Sequence, residues 1–392
     1  MQGRRVAVTG MGVLSSCGTG LDAFWNGLCS SPPEGERRLH DFDPEPFFAN
    51  AKEVRRADRV TQFAIAAAEQ ALAQAGDVTG DPVRRGVLIA TGIGGIGTLE
   101  EQITNFVHGG ARKVSPFLVP MMMPNAPGAA VSMRHGWQGP CQTVSTACAA
   151  STHALVDAAH WIAWGRCDAV LAGGSEASMT PVSMAGFGNM KAMSSRGVSS
   201  PFSAERDGFV IAEGAAVLVL EAWETAEARG ATILAEVLGG ASTADAHHIT
   251  APAPGGRGAL SCMELALQSA GLEASDIRQI NAHGTSTPLN DAAEAEAMDK
   301  LFGQPGPPVT SIKGVTGHSL GAAGAIEAVA VVESMRRRLI PPTAVTTRVD
   351  PDLPAIDLVL GAPREWVPGP TISNSFGFGG HNGSVVLAPA GQ

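Results

Sequence analysis

The sequence predicts a large α/β protein built from two similar halves, each a sheet wrapped by helices. Short Val-, Ile- and Ala-rich runs ending in glycine alternate along the chain with longer Ala-rich stretches of helical spacing. Apolar residues make up 44% of the chain and charged residues 16%, with 48 glycines, which suits a compact interior rather than a disordered chain. Phe209 and Phe378 are each followed, at the same offset, by a glycine (Gly214 and Gly383) that leads through small residues into a Val/Leu strand. A chain of 392 residues makes two ordinary domains or one large layered body. The expected division is 1–240 and 241–392.

In order, 5–9 is a strand and Gly10-Met11-Gly12 its turn. Arg4 and Arg5 ahead of that apolar run faintly mimic a signal peptide, but the glycines break it. A short helix covers 21–28, and 35–50 is a polar loop. Residues 58–75 place Val60, Phe63, Ala64, Ala67, Ala68 and Leu72 at helical spacing, an amphipathic helix. The strand 86–90 runs into Thr91-Gly92-Ile93-Gly94-Gly95-Ile96-Gly97, with a helix from Leu99. A dinucleotide loop would need an acidic residue after the next strand, and none is placed there; these glycines better serve close backbone approach. Residues 115–124 are irregular and apolar, and Met121-Met122-Met123 suits a pliable pocket wall, an interface or plain core filling.

A β-prone stretch at 142–146 leads to Cys148 at a turn and to a buried helix at 149–164. The strand 168–173 ends in Gly174-Ser175-Glu176. Residues 183–198 form a loop-rich insertion with Lys191 and Arg196. A strand within 209–220, a helix at 222–229 and a strand at 233–238 close the first half. The second half has helices at 258–270, 292–301 and 321–335 and strands at 277–281, 309–312, 371–376 and 384–387.

A net charge of −10 argues against general nucleic-acid binding, which needs a basic footprint. Six cysteines without a CxxC pair support neither a disulfide framework nor a zinc knuckle, and a reducing cytosol fits best. No segment approaches the roughly 18 apolar residues of a membrane span.

Four clusters stand at strand ends, where open α/β sheets collect ligands: Cys148, His283, Lys313 with His318, and Phe378 in a glycine turn. Each has a plain alternative. Cys148 is a thiol favoured as thiolate by a helix N-terminus, or a buried structural cysteine. His318 opens a helix whose N-terminus keeps its imidazole neutral, whereas His247 and His248 read as surface groups. Lys313, between a strand and Gly314, is a site group or a surface charge. A thiol protease needs one histidine as base and one orienter. One thiol with two neutral imidazoles suits different chemistry. Two such donors can polarise a thioester carbonyl while a carboxylate leaves as CO2 and charge develops on an enolate oxygen.

With these motifs in place, the chain resembles the elongating β-ketoacyl-[acyl-carrier-protein] synthases of bacterial fatty-acid synthesis. The resemblance spans nearly the whole chain. It rests on Val8-Thr9-Gly10-Met11-Gly12, Thr146-Ala147-Cys148-Ala149, Ala172-Gly173-Gly174-Ser175-Glu176, Ala282-His283-Gly284-Thr285-Ser286-Thr287-Pro288, 313–324 and 374–382. It implies a thiolase-like fold, duplicated halves in a five-layered αβαβα stack, and a cytoplasmic homodimer. It implies decarboxylative condensation of an acyl-ACP with malonyl-ACP, the acyl carrier protein as partner, and no cofactor beyond the carrier's 4'-phosphopantetheine arm.

Carried over residue by residue, Cys148 accepts the acyl chain. His283 and His318 serve decarboxylation, and Lys313 orients the site electrostatically. The backbone N–H groups of Cys148 and Phe378 form the oxyanion hole, with Phe378 as a gate beside Phe376. Thr285 and Thr287 hold the phosphopantetheine arm, and Ile93 walls the acyl pocket. Asn281, Glu327, Ser373 and Asn374 match a structural cation site, monovalent or divalent, or else a buried hydrogen-bond network. Arg112, Lys113 and Lys191 match basic positions facing the acidic carrier protein, or are solvated surface charges. His381 stands where some members carry Thr, loops are short near Gly35 and Gly303, and tyrosine is absent.

Other readings share parts of this pattern. Ser145 stands where modular polyketide synthases carry an acidic residue, which favours a discrete enzyme; a specialised polyketide pathway is the alternative, with this chain as active subunit of a heterodimer. A non-catalytic chain-length partner would lack the nucleophile. A thiolase would need a second cysteine near the C-terminus, and the last is Cys262.

Overall fold

The structure is a computed structural model describing residues 1–33 and 35–391. Its first half contributes strands β1 (Val6–Ser15), β2 (Arg85–Ala90), β3 (Cys141–Gln142), β4 (Ala169–Glu176) and β5 (Gly214–Ala222). The second contributes β6 (Ala235–Ala244), β7 (Gln279–Asn281), β8 (Val309–Thr310), β9 (Thr371–Gly377) and β10 (His381–Pro389). They lie in the order β3-β2-β4-β5-β1-β6-β10-β9-β7-β8.

This order is the same read inward from either edge. In the first half β3, β2 and β4 run parallel, and β5 and then β1 join antiparallel. In the second half β8, β7 and β9 run parallel, and β10 and then β6 join antiparallel. The expected echo of Phe209–Gly214 in Phe378–Gly383 therefore falls on corresponding strands, β5 and β10. The halves meet through a short pairing of Val6, Ala7 and Val8 with Val237, Glu236 and Ala235. The expected division at 240/241 falls inside β6.

The principal helices are α1 (Arg59–Ala75), α2 (Ile96–Gly109), α3 (Ala126–His135), α4 (Ala150–Ala163), α5 (Pro181–Asn189), α6 (Arg257–Ala270), α7 (Pro288–Phe302) and α8 (Ala323–Arg337). Helix α1 covers the outer face of the first half, α6 and α7 that of the second, and α4 and α8 fill the space between. Separate apolar cores lie at these levels, the largest around α4 and α8. This is the αβαβα stack expected of a thiolase-like fold.

Several local expectations change. Gly10 and Gly12 make no turn; they sit inside β1, with a bulge between Val8 and Gly10. A Cβ on either would come within 2.1 Å of the Ala71 carbonyl oxygen or 2.0 Å of that of Ala67, so these glycines let α1 lie against the strand. The supposed insertion at 183–198 starts as helix α5, capped by the Thr180 hydroxyl, which accepts the Ser183 N–H. The strand expected at 142–146 shrinks to β3, because the chain turns to deliver Cys148. All six cysteines are free. Among the described residues no helix is long and apolar enough to cross a membrane.

Candidate active site

Cys148 sits in the middle of a 3-10 turn, Ala147–Ala149, that opens α4. The residue before it, Ala147, has φ 50°, a conformation uncommon for a non-glycine residue. The end of β9 crosses this turn so closely that a Cβ on Gly377 would lie 3.0 Å from the Cys148 nitrogen. The backbone N–H groups of Phe378 and Cys148 both favour the Cys148 thiolate, against its burial. These two N–H groups, the expected oxyanion donors, come from elements far apart in sequence.

One expectation about Cys148 is corrected. The thiol is buried, and burial pushes it up to about 11; Lys313 and the two N–H groups pull the other way without overcoming this. Desolvation of the buried sulfur disfavours the thiolate more strongly than the helix start favours it. A helix N-terminus typically returns only about 0.3–1 kcal/mol. The resting group is therefore the thiol, despite its place at a helix start.

His283 follows β7, and its imidazole lies 5.3 Å from that of His318, edge to face. Lys313 is fully buried; its ammonium donates to the His283 carbonyl at 2.6 Å and to His283 Nδ1 at 3.3 Å, and forms an ion pair with Glu327. An ammonium can only donate, so His283 Nδ1 accepts, and the proton of the neutral ring sits on Nε2. Burial first, then the Lys313 charge, hold both imidazoles well below their ordinary value, so both are neutral. For His318 this replaces the expected helix-end effect: a 3-10 turn from Leu320 intervenes before α8. Main-chain bonds with Val210 and Ala212 hold His318 in place. Lys313 is no surface charge.

A cavity of about 500 Å³ opens onto Cys148, His283 and His318. Thr285, Thr287, Phe376 and Phe378 line it, and exposed Lys191 stands at its rim. The Thr285 and Thr287 hydroxyls are 2.9 Å apart. Phe376 packs edge-on against His283 at 6.1 Å. Cys148 also belongs to an apolar cluster with Met179, Phe209, Ile211 and Leu320, of which Phe209 and Leu320 line the cavity as well; partly buried Met184 and Phe187 from α5 pack against it. Ile93 is exposed and does not line the cavity. Arg112 and Lys113 are exposed on a turn outside it; four residues on, Phe117 lies under the Arg56 guanidinium at 4.2 Å.

The four residues matched to a cation site form a partial network. Asn281 donates to the Ser373 hydroxyl at 3.0 Å, and Ser384 donates to Asn374 at 2.7 Å. Asn281 Oδ1 and Glu327 Oε2 are buried with no partner. Oxygen donors of this kind fit a hard cation. Elsewhere, the sulfur of Cys148 and one nitrogen each of His283 and His318 lie within 4.8 Å of one another, a set with softer donors.

Three supporting residues escaped the sequence reading. Glu294 accepts the backbone N–H groups of His283 and Gly284 at 2.7 and 2.8 Å, and burial raises it to about 8. Asp291 accepts those of Thr285 and Ser286. Acids three residues apart near the start of a helix after His-Gly-Thr were the available signal. His153 takes the Thr146 hydroxyl proton at Nδ1 and donates from Nε2 to the Asn382 carbonyl, tying the Cys148 turn to β10.

The chain matches "Beta-ketoacyl synthase, N-terminal domain" over residues 32–226 and "Beta-ketoacyl synthase, C-terminal domain" over residues 234–347. It is 40% identical to 3-oxoacyl-[acyl-carrier-protein] synthase 2 of Synechocystis, covering 99% of this chain and 98% of the relative. The crystal structure of a beta-ketoacyl synthase from Burkholderia phymatum superposes with a TM-score of 0.91 at 33% identity, covering 99% of this chain and all of that one. A type II PKS acyl-carrier protein in complex with its ketosynthase gives 0.90 at 32% identity, again over 99% and 100%. With both domain matches in one continuous fold and a buried thiol beside paired imidazoles, this chain belongs to the β-ketoacyl synthase family.

Proposed function

We propose that the protein condenses an acyl-ACP with malonyl-ACP, releasing CO2 and forming 3-oxoacyl-ACP. The observation that carries this is the convergence of Cys148 with two neutral imidazoles, one fixed as an Nε2–H donor. In the first step the Cys148 thiol passes its proton to a neutral imidazole and attacks the acyl thioester. The Cys148 and Phe378 N–H groups receive the oxyanion, and the phosphopantetheine thiol leaves with the proton. The acyl chain rests against the apolar cluster around Met179, Leu320, Met184 and Phe187.

In the second step His283 and His318 donate to the malonyl thioester oxygen while CO2 departs. The enolate carbon attacks the acyl-Cys148 carbonyl, and sulfur leaves as thiolate. At a value of about 11 it regains a proton from water, so each turnover takes up one proton. Thr285 and Thr287 hold the pantetheine arm. Arg112, Lys113 and Lys191 face the acidic carrier.

A second copy of the chain covers the exposed apolar residues Ile103, Phe106 and Val107 of α2, and the open edge of β3 lies at the end of the sheet. Asn281, Glu327, Ser373 and Asn374 would hold a hard cation that braces the sheet behind the site. Free cysteines suit a reducing cytoplasm. A role in a polyketide pathway uses the same site and is supported by the likeness to the type II PKS complex.

The deciding experiment is intact mass of the protein after incubation with acyl-ACPs of graded length, then with malonyl-ACP. The expected result is one acyl group on Cys148, discharged by malonyl-ACP with CO2 release. Condensation that survives Cys148→Ala would overturn the reading. Preference for a fatty acyl or a polyketide chain separates the two pathways.

A further inference from the structure

The duplicated fold carries a second copy of the Cys148 turn. Leu320–Ala322 is a 3-10 turn opening α8, as Ala147–Ala149 opens α4. The first residue of each has positive φ: 45° at Leu320 and 50° at Ala147. At the position of Cys148 the second turn has Gly321. A Cβ there would lie 2.1 Å from the Gly92 nitrogen and 2.6 Å from the Thr91 carbonyl carbon, so no nucleophile fits.

The N–H of this second turn does not await a ligand. The Glu176 carboxylate, at the end of β4 and fully buried, fills it: Oε2 accepts the Gly321 N–H at 3.0 Å and the Gly92 N–H at 2.6 Å. Its other oxygen accepts the Ser178 hydroxyl at 2.5 Å and the Thr91 hydroxyl at 3.4 Å. The partners sit beside the apolar residues that pack on Cys148: Leu320 precedes Gly321, and Met179 follows Ser178.

We infer that Glu176 is a positioning residue for acyl acceptance: from the second turn it fixes the Leu320 and Met179 walls against which the acyl chain on Cys148 is laid. One acceptor group ties three separate chain segments, 91–92, 176–178 and 320–321, so the wall is formed before the acyl chain arrives. Decarboxylation uses the imidazoles of His283 and His318, neither of which bonds to Glu176. The inference rests on the acyl-transfer reading above.

The experiment follows acylation of Cys148 by acetyl-ACP and by decanoyl-ACP, together with CO2 release from malonyl-ACP, in wild type and Glu176→Gln. Glutamine keeps the shape but turns an NH2 group toward one set of donors. The decanoyl rate falls about tenfold relative to the acetyl rate, and CO2 release is retained. Ser178→Ala removes one donor, leaves the carboxylate, and shifts the same ratio by a smaller factor; it serves if Glu176→Gln does not fold. An unchanged decanoyl-to-acetyl ratio overturns the inference, as does a parallel loss of both acylations and CO2 release. A wild-type protein that accepts neither acyl group would instead overturn the acyl-transfer reading.

Discussion

The ammonium of Lys313 donates to the main-chain carbonyl of His283 at 2.6 Å, so the charge that balances Glu327 also holds the backbone of a histidine at the cavity. Removing one partner of a buried ion pair typically costs about 3–5 kcal/mol, because the other charge is left unpaired. Lys313→Met therefore lowers the melting temperature and abolishes CO2 release. Adding Glu327→Leu restores the melting temperature but not CO2 release. Calorimetry and CO2 release on the single and double variants separate the two roles.

In the proposed reaction His283 and His318 donate to the malonyl oxygen, and each donor of this kind is worth about 10²–10³ in rate. His283→Ala or His318→Ala loses CO2 release by that factor, while Cys148 still accepts an acyl group, more slowly. Comparing acylation by mass spectrometry with CO2 release checks this. Equal loss in both assays would contradict the division of labour.

The raised thiol of Cys148 has a visible pH signature. Its alkylation by iodoacetamide climbs with pH toward about 11 rather than levelling off near neutrality. Stability follows the same group. The folded thiol keeps its proton above 9, where the unfolded chain releases it, so stability is full below 9 and is lost as pH rises through about 11. Cys17 and Cys262, also raised to about 11, add to the same slope. Denaturant midpoints between pH 8 and 11 become less steep in Cys148→Ala.

Gly377 is required by contact, not by its φ angle. A methyl group there would press within 3.0 Å of the Cys148 nitrogen and 3.1 Å of the Thr146 carbonyl oxygen. Gly377→Ala spreads the Cys148 and Phe378 donors by a few tenths of an ångström, and acylation falls about tenfold or more. The protein is expected to fold, with an unchanged circular dichroism spectrum and elution volume as the check.

Zinc is expected to inhibit. Thiolate and imidazole are its preferred ligands, and the Cys148, His283 and His318 donors lie within 4.8 Å of one another. Zn²⁺ protects Cys148 from alkylation, a chelator reverses this, and His318→Ala weakens it. Because the thiol must lose its proton, protection weakens as pH falls.

Local pattern determined much of this protein. The helical spacing of Val60, Phe63 and Ala67 specified α1, and the strand-ending motifs at Cys148, His283 and Phe378 fall on one cavity, with Lys313 bonded to His283 behind it. Local pattern misled where two distant segments share one space. Gly10 and Gly12 look like a turn in sequence but are flattened against Ala67 and Ala71 of α1. The helix start at Cys148 suggested a thiolate, yet desolvation by the surrounding layers outweighs it. Glu294 behind His283 and Glu176 in the second turn gain meaning only from their donors, which the folded chain brings from other elements. Residue spacing records propensity and periodicity, which act over a few residues; burial, ion pairing and carboxylate anchoring depend on distances across the stack, which only packing sets.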